Sequence, residues 1–193
     1  MSIYMPSQSF GADFIFKVIV VGDGAVGKTS LILRYTQGSF NTNYIKTVGA
    51  QFSRYEYKSD DGIVTRLSLW DIAGQTEFNF MHSTFFNGAN ACIVVIDVTR
   101  DDPIASLQGW IDEIHKYCGL ELPIAIFGNK SDLLEGQIYN NPDLEISMQE
   151  NNISGFFLTS AKTGVNVTTA FDAIIKELIS RVETGDGEFP LDP

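Results

Sequence analysis

Cysteine is scarce in these 193 residues. Cys92 and Cys118 are too few for a disulfide scaffold and lack metal-site spacing. Basic charge is also short: 13 Lys and Arg face 24 Asp and Glu, a net charge of −11. That balance excludes nucleic acid and anionic lipid as general partners, although a local basic cradle can still hold an anion. Long apolar runs are missing. The longest, residues 14–21 (broken by Lys17) and 91–96, fall far short of the ~20 residues that span a bilayer. The first 13 residues contain no basic residue, so no secretory signal is expected. Residues 183–193 are acidic, with neither cysteine nor a basic cluster. A reduced cytoplasmic chain is expected, membrane-associated only if a longer native C-terminus carries a lipid anchor.

What is present describes one folded domain. Hydrophobic residues make up 44% and charged residues 19%, ordinary for a globular chain. The expected domain covers residues 14–183, between a flexible extension (1–13) and an acidic flexible tail (184–193). Short apolar runs alternate with helical patterns, which predicts an α/β fold. Strands are expected at 14–21, 91–97, 123–128 and 156–159, with a hairpin formed by 51–58 and 64–71. Helices are expected from Lys28, from Pro103 (a first-turn proline after Asp101 and Asp102) and along Val167, Phe171, Ile174, Leu178 and Val182. Residues 136–152 are polar and weakly patterned, a loop with one short helix. The sum is a six-stranded, mostly parallel sheet with one antiparallel edge strand and helices on both faces.

Chemistry concentrates at strand ends. Gly22-Asp23-Gly24-Ala25-Val26-Gly27-Lys28-Thr29 fits G-x-x-x-x-G-K-[ST] between a predicted strand and a predicted helix. Glycines let the backbone wrap phosphate oxygens, successive N–H groups and the helix start point at the anion, Lys28 bridges phosphates, and the Thr29 hydroxyl can ligate Mg²⁺. Gly22, Gly24 and Gly27 also satisfy the dinucleotide pattern G-x-G-x-x-G, but the hairpin that follows does not supply the acid that pattern needs. Asp71-Ile72-Ala73-Gly74-Gln75 ends another strand. There Asp71 can hold Mg²⁺ through water, the Gly74 N–H can touch a terminal phosphate, and Gln75 can orient an attacking water. Asn129-Lys130-Ser131-Asp132 and Ser160-Ala161-Lys162 follow two further strands. A carboxylate at Asp132 accepts both guanine donors, Asn129 and the Ala161 N–H suit the acceptor edge, and Lys130 and Lys162 can cover the base faces.

With these four motifs in this order, the chain resembles a Ras-superfamily small GTPase from Phe14 to Val182, and within it most resembles the Rab branch. The resemblance implies a GTP- and GDP-binding switch with Mg²⁺ that hydrolyses GTP slowly, probed by exchange factor, activating protein and effectors through residues 40–52 and 70–86. It implies that Thr47 ligates Mg²⁺ and senses the γ-phosphate, with the Thr47 carbonyl region and Gln75 positioning water. It also implies that Phe40 packs edge-on against guanine, that Tyr44 and Ser30 complete the nucleotide site, and that Phe52, Trp70 and Phe85 form an effector-facing aromatic triad. The phosphate loop reads more like the Rho branch, with Ala25 where many relatives carry Gly. The 31 residues from Asn129 to Ser160 leave no room for the extra Rho helix. Ile72, Thr76 and Glu77 depart from the usual pattern beside Gln75. None of the motifs carries an arginine that completes charge stabilisation in cis.

Two further readings stay open on sequence: a nucleotide-loaded binding module with negligible turnover, and an ATP- or NAD-binding enzyme. Nothing calls for an oligomer, so a monomer is expected. His82 and His115 are expected to be partly exposed structural residues, Trp110 to pack, and Cys92 to fill the core.

Overall fold

The computed structural model describes residues 11–41, 47–74, 82–151 and 153–185. Six strands, β1 (Phe14–Val21), β2 (Ala50–Lys58), β3 (Val64–Ile72), β4 (Ala91–Asp97), β5 (Ile124–Asn129) and β6 (Gly155–Leu158), form one sheet. The order is β2-β3-β1-β4-β5-β6, with β2 antiparallel to β3 and the remaining pairs parallel. Among the described residues five α-helices surround it: α1 (Lys28–Gln37), α2 (His82–Phe86), α3 (Leu107–Cys118), α4 (Pro142–Glu150) and α5 (Val167–Thr184). No helix among the described residues is long and apolar enough to cross a membrane.

The unbroken apolar runs of the central strands are explained by their two covered faces. Side chains alternate across a strand, so Phe16, Val18 and Val20 of β1 join one core with α1 and α5, whereas Ile19 and Val21 join a second with α3 and α4. In β4, Ile93 and Val95 face the first core and Cys92 and Val94 the second. In β5 the division is Phe127 against Ile126. Phe171 of α5 locks the first core, edge-on to Phe127 at 5.2 Å and stacked on Tyr35 at 4.3 Å.

Two expectations need correction. α3 starts at Leu107 rather than at Pro103, because residues 103–106 form a turn closed by the Leu107 N–H on the Ile104 carbonyl (2.9 Å). A three-residue hydrogen bond cannot continue as α-helix until the chain relaxes to the four-residue spacing, which begins with the Trp110 N–H on the Ser106 carbonyl (3.1 Å). His82 is fully buried rather than partly exposed. Its ring stacks on Phe86, and its Nδ1 lies 2.6 Å from Glu113 Oε2 on α3.

Phe171→Ala removes a ring that touches both α1 and β5. It is expected to cost about 3–5 kcal/mol, read in equilibrium denaturation as a lower midpoint with an unchanged slope.

Candidate functional site

The carboxyl ends of β1, β3, β5 and β6 open on one cavity of about 440 Å³. Gly24, Ala25, Gly27, Lys28, Thr29 and Ser30 form its floor, Thr47 and Gly74 one wall, and Asn129, Lys130, Asp132, Ala161 and Lys162 the opposite one, with Phe40 at the side. Tyr44 and Gln75 lie outside the described residues, as do Thr76 and Glu77.

The loop after β1 turns into α1 through Gly27 at φ +102°, where an added Cβ would lie 2.2 Å from Asn129 Nδ2. Glycine is required there on both counts. No side chain caps α1, so its first-turn N–H groups keep their hydrogen-bonding capacity and the positive end of the helix dipole for an anion. Lys28 is buried and donates to the Gly22 (2.7 Å) and Asp23 (2.8 Å) carbonyls. Burial lowers its pKa to about 8, against the pull of Asp71 and Asp23. Gly74 approaches this loop so closely that a Cβ would sit 1.9 Å from the Gly22 carbonyl oxygen.

Three oxygens converge beside Lys28. The Thr29 hydroxyl donates to Asp71 Oδ2 (2.5 Å), the Thr47 hydroxyl lies 3.2 Å from the same oxygen, and the two hydroxyls are 3.0 Å apart. Asp71 Oδ1 is buried with no hydrogen-bond partner among the described residues. Burial raises the Asp71 pKa despite the bonds from Thr29 and Thr47 and the charge of Lys28. Hard oxygen donors, one of them a buried and unsatisfied carboxylate oxygen, fit Mg²⁺.

On the opposite wall Asn129 is engaged within the protein. Its Nδ2 donates to the Val26 carbonyl (2.8 Å), and its Oδ1 accepts the Ala161 N–H (3.1 Å). The Asn129 amide keeps a second N–H beyond the one given to Val26, while the Ala161 N–H is bonded to Asn129 Oδ1. Asp132 Oδ1 accepts from Ser160 Oγ (2.6 Å), with Lys162 Nζ 3.7 Å from Oδ2. Lys130, at φ +70°, is fixed by Asp97 Oδ2 at 2.5 Å. Burial pushes the Asp97 pKa up, but bonds from Lys130 and Thr99 outweigh it and hold the carboxyl below its usual range.

Asp23 and Val26 belong to the phosphate loop but face away from the cavity, Asp23 toward α3 and Val26 into the first core. Three residues went unnoticed in the sequence. Asp97 carries no motif signal, and Arg34 reads as an ordinary helical arginine. Yet Arg34 donates to the carbonyls of Ala161 (2.7 Å), Lys162 (2.6 Å) and Gly38 (2.8 Å), tying the β6 loop to the end of α1. Arg100 follows β4 and reaches Asp23 and Gly24.

The family model for the Ras family matches residues 17–180. The chain belongs to the Ras family of small GTPases. Human Ras-related protein Rab-26 is 38% identical over 180 residues, covering 91% of this chain and 70% of that protein. Rat Ras-related protein Rab-7L1 is 35% identical over 172 residues (87% and 84%), and Ras-related protein Rab-2B of Dictyostelium discoideum 31% over 180 (93% and 88%). These relatives set this small GTPase near the Rab branch. Small GTPases of this family hydrolyse GTP to GDP, bind these nucleotides with Mg²⁺, and interact with exchange factors, activating proteins and effectors. Phe52, Trp70 and Phe85 form a contiguous aromatic ladder with centroid separations of 5.6 and 5.9 Å, Phe52 exposed and Lys17 Nζ 4.6 Å over Trp70.

Asn129→Ala strips partners from the Val26 carbonyl and the Ala161 N–H, both buried. It is expected to cost about 1–3 kcal/mol of stability, measured by denaturation, and to weaken nucleotide binding in titration because the floor loop and the wall carrying Ala161 lose their tie.

Proposed function

We propose that this chain is a switch in membrane trafficking or related signalling, one that turns GTP over slowly and recruits effectors in its GTP state. The observation that carries the reading is the meeting, in one cavity, of an uncapped helix start with a buried lysine, a Thr–Thr–Asp oxygen cluster and a fixed carboxylate. Lys28 and the N–H groups from Gly24 to Ser30 hold the phosphates, while Asp132 pairs the two donors of guanine. Phe40 and Tyr44 flank the nucleotide. Ser160 aligns Asp132, and Lys130 and Lys162 cover the base. The folded unit is residues 14–183.

Thr29, Thr47 and Asp71 would hold Mg²⁺, which neutralises phosphate charge when bound. Gln75 and the Thr47 carbonyl region orient the attacking water, and Lys28 with the loop N–H groups stabilises charge developing on the γ-phosphoryl oxygens. An activating protein that adds an arginine would raise the rate ~10³–10⁵-fold. Thr47 lies between α1 and β2, where a γ-phosphate contact can order a loop and thereby report the bound nucleotide. Effectors would read residues 40–52 and 70–86, with Phe52, Trp70 and Phe85 as anchors.

Competition between guanine and adenine nucleotides tests the reading directly, since preference for adenine would overturn it. Asp132→Asn is expected to weaken GTP and favour xanthosine triphosphate, whose C2 carbonyl prefers an amide donor; an unchanged preference removes Asp132 from the base site. Gln75→Leu is expected to slow single-turnover hydrolysis about ten-fold or more, ~1.4 kcal/mol in barrier, with little change in affinity. Equal rates for the two proteins would favour a binding module over an enzyme.

A further inference from the structure

Asp23 occupies the phosphate loop, yet its carboxylate points to the outer side, toward the segment joining β4 to α3. Oδ1 accepts the Trp110 indole N–H at 3.1 Å, and Oδ2 accepts Arg100 Nη1 at 2.9 Å. The same guanidinium donates through Nη2 to the Gly24 carbonyl at 2.7 Å, so one planar fork grips consecutive loop residues. Ser106 also bonds Asp23; burial pushes the Asp23 pKa up, but Ser106, Trp110 and Arg100 together hold it below its ordinary value.

Trp110 has a second neighbour. Only 9% exposed, it packs against the His82 ring with centroids 5.6 Å apart. His82 is held by Glu113 and stacked on Phe86, and its Nε2 is buried without a hydrogen-bond partner among the described residues. His82 opens α2, which follows the segment carrying Gln75. One indole therefore touches α2 with its ring and the phosphate loop with its N–H.

We propose that Arg100 and Trp110 are positioning residues that brace the phosphate loop from outside, and that Trp110 couples the placement of α2 to retention of the nucleotide. The inference rests on the guanine-nucleotide reading of the cavity. The brace acts on backbone: fixing the Asp23 side chain and the Gly24 carbonyl fixes the peptide planes whose N–H groups face the phosphates. A partner that moves α2 would then loosen the loop without entering the cavity.

The test is release of a fluorescent GDP analogue from the full chain. Trp110→Phe keeps an aromatic ring on His82 but deletes the donor. Arg100→Lys keeps the charge but loses the planar fork whose two nitrogens reach Asp23 and Gly24. Each is expected to speed release about ten-fold, the scale of one hydrogen bond to a charged group. Glu113→Gln weakens the hold on His82 by replacing a carboxylate with a neutral amide, at a partly exposed position. It is expected to speed release in the Trp110 protein and to add nothing in the Trp110→Phe protein, a non-additivity that simple destabilisation does not produce. In a Trp70→Phe background, which leaves Trp110 as the sole tryptophan, emission is expected to shift on GDP-to-GTP exchange and to lose that shift with Asp23→Ala, which removes the acceptor of the indole N–H. Wild-type release from both brace variants, or equal Glu113→Gln effects in the two backgrounds, overturns the inference and leaves the nucleotide reading standing. If the unaltered chain fails to bind the analogue, the nucleotide reading falls and takes the inference with it.

Discussion

One side-chain amide holds the cavity together. Asn129 gives one of its two N–H donors to the Val26 carbonyl and accepts the Ala161 N–H with its oxygen, so the loops after β1, β5 and β6 meet at a single planar group. The span works only because Gly27 has no Cβ, which would stand 2.2 Å from the amide nitrogen. Both bonds are buried, where an unpaired donor or acceptor costs about 1–3 kcal/mol. The geometry of the cavity floor and of the wall that carries Asn129 and Ala161 is thus one problem rather than two.

That knot sits where the sheet topology makes room for it. From β1 the chain passes to the edge strand β2, turns back through β3 beside β1, then crosses to β4, β5 and β6. Connections on the two sides of β1 diverge, and open α/β sheets carry their ligand crevice at such a reversal, beyond the carboxyl ends of the strands. The two cores, segregated by strand alternation, hold those ends still from both faces.

The sequence made the layers and the motif loops legible because their signals are local. A run such as β4 is apolar at every position because both faces are covered, and Gly27-Lys28-Thr29 demands glycine and lysine at fixed offsets. What stayed hidden depends on distant partners. Arg34 bonds residues 127 and 128 positions away, and Arg100 bonds residues 77 and 76 away, so neither carries a pattern that a reading window can detect. α3 was expected to start at its proline, as local capping rules suggest, but the 103–106 turn brings Ser106 to Asp23 and delays the helix. His82 sits among closely spaced phenylalanines that mark no clear helical face, and only the packing of α2 on α3 reveals its burial.

Lys130 shows how folding can lower the cost of recognition. A free lysine side chain surrenders up to about 2 kcal/mol of rotamer freedom when it settles on a ligand. Here Asp97 has confined the chain beforehand, with Thr99 bonded to the other carboxylate oxygen at 2.6 and 3.1 Å. Lys130 lines the cavity in this tethered position. Its ordering entropy is lost once, during folding, and in the proposed role over the base would not have to be lost again on binding.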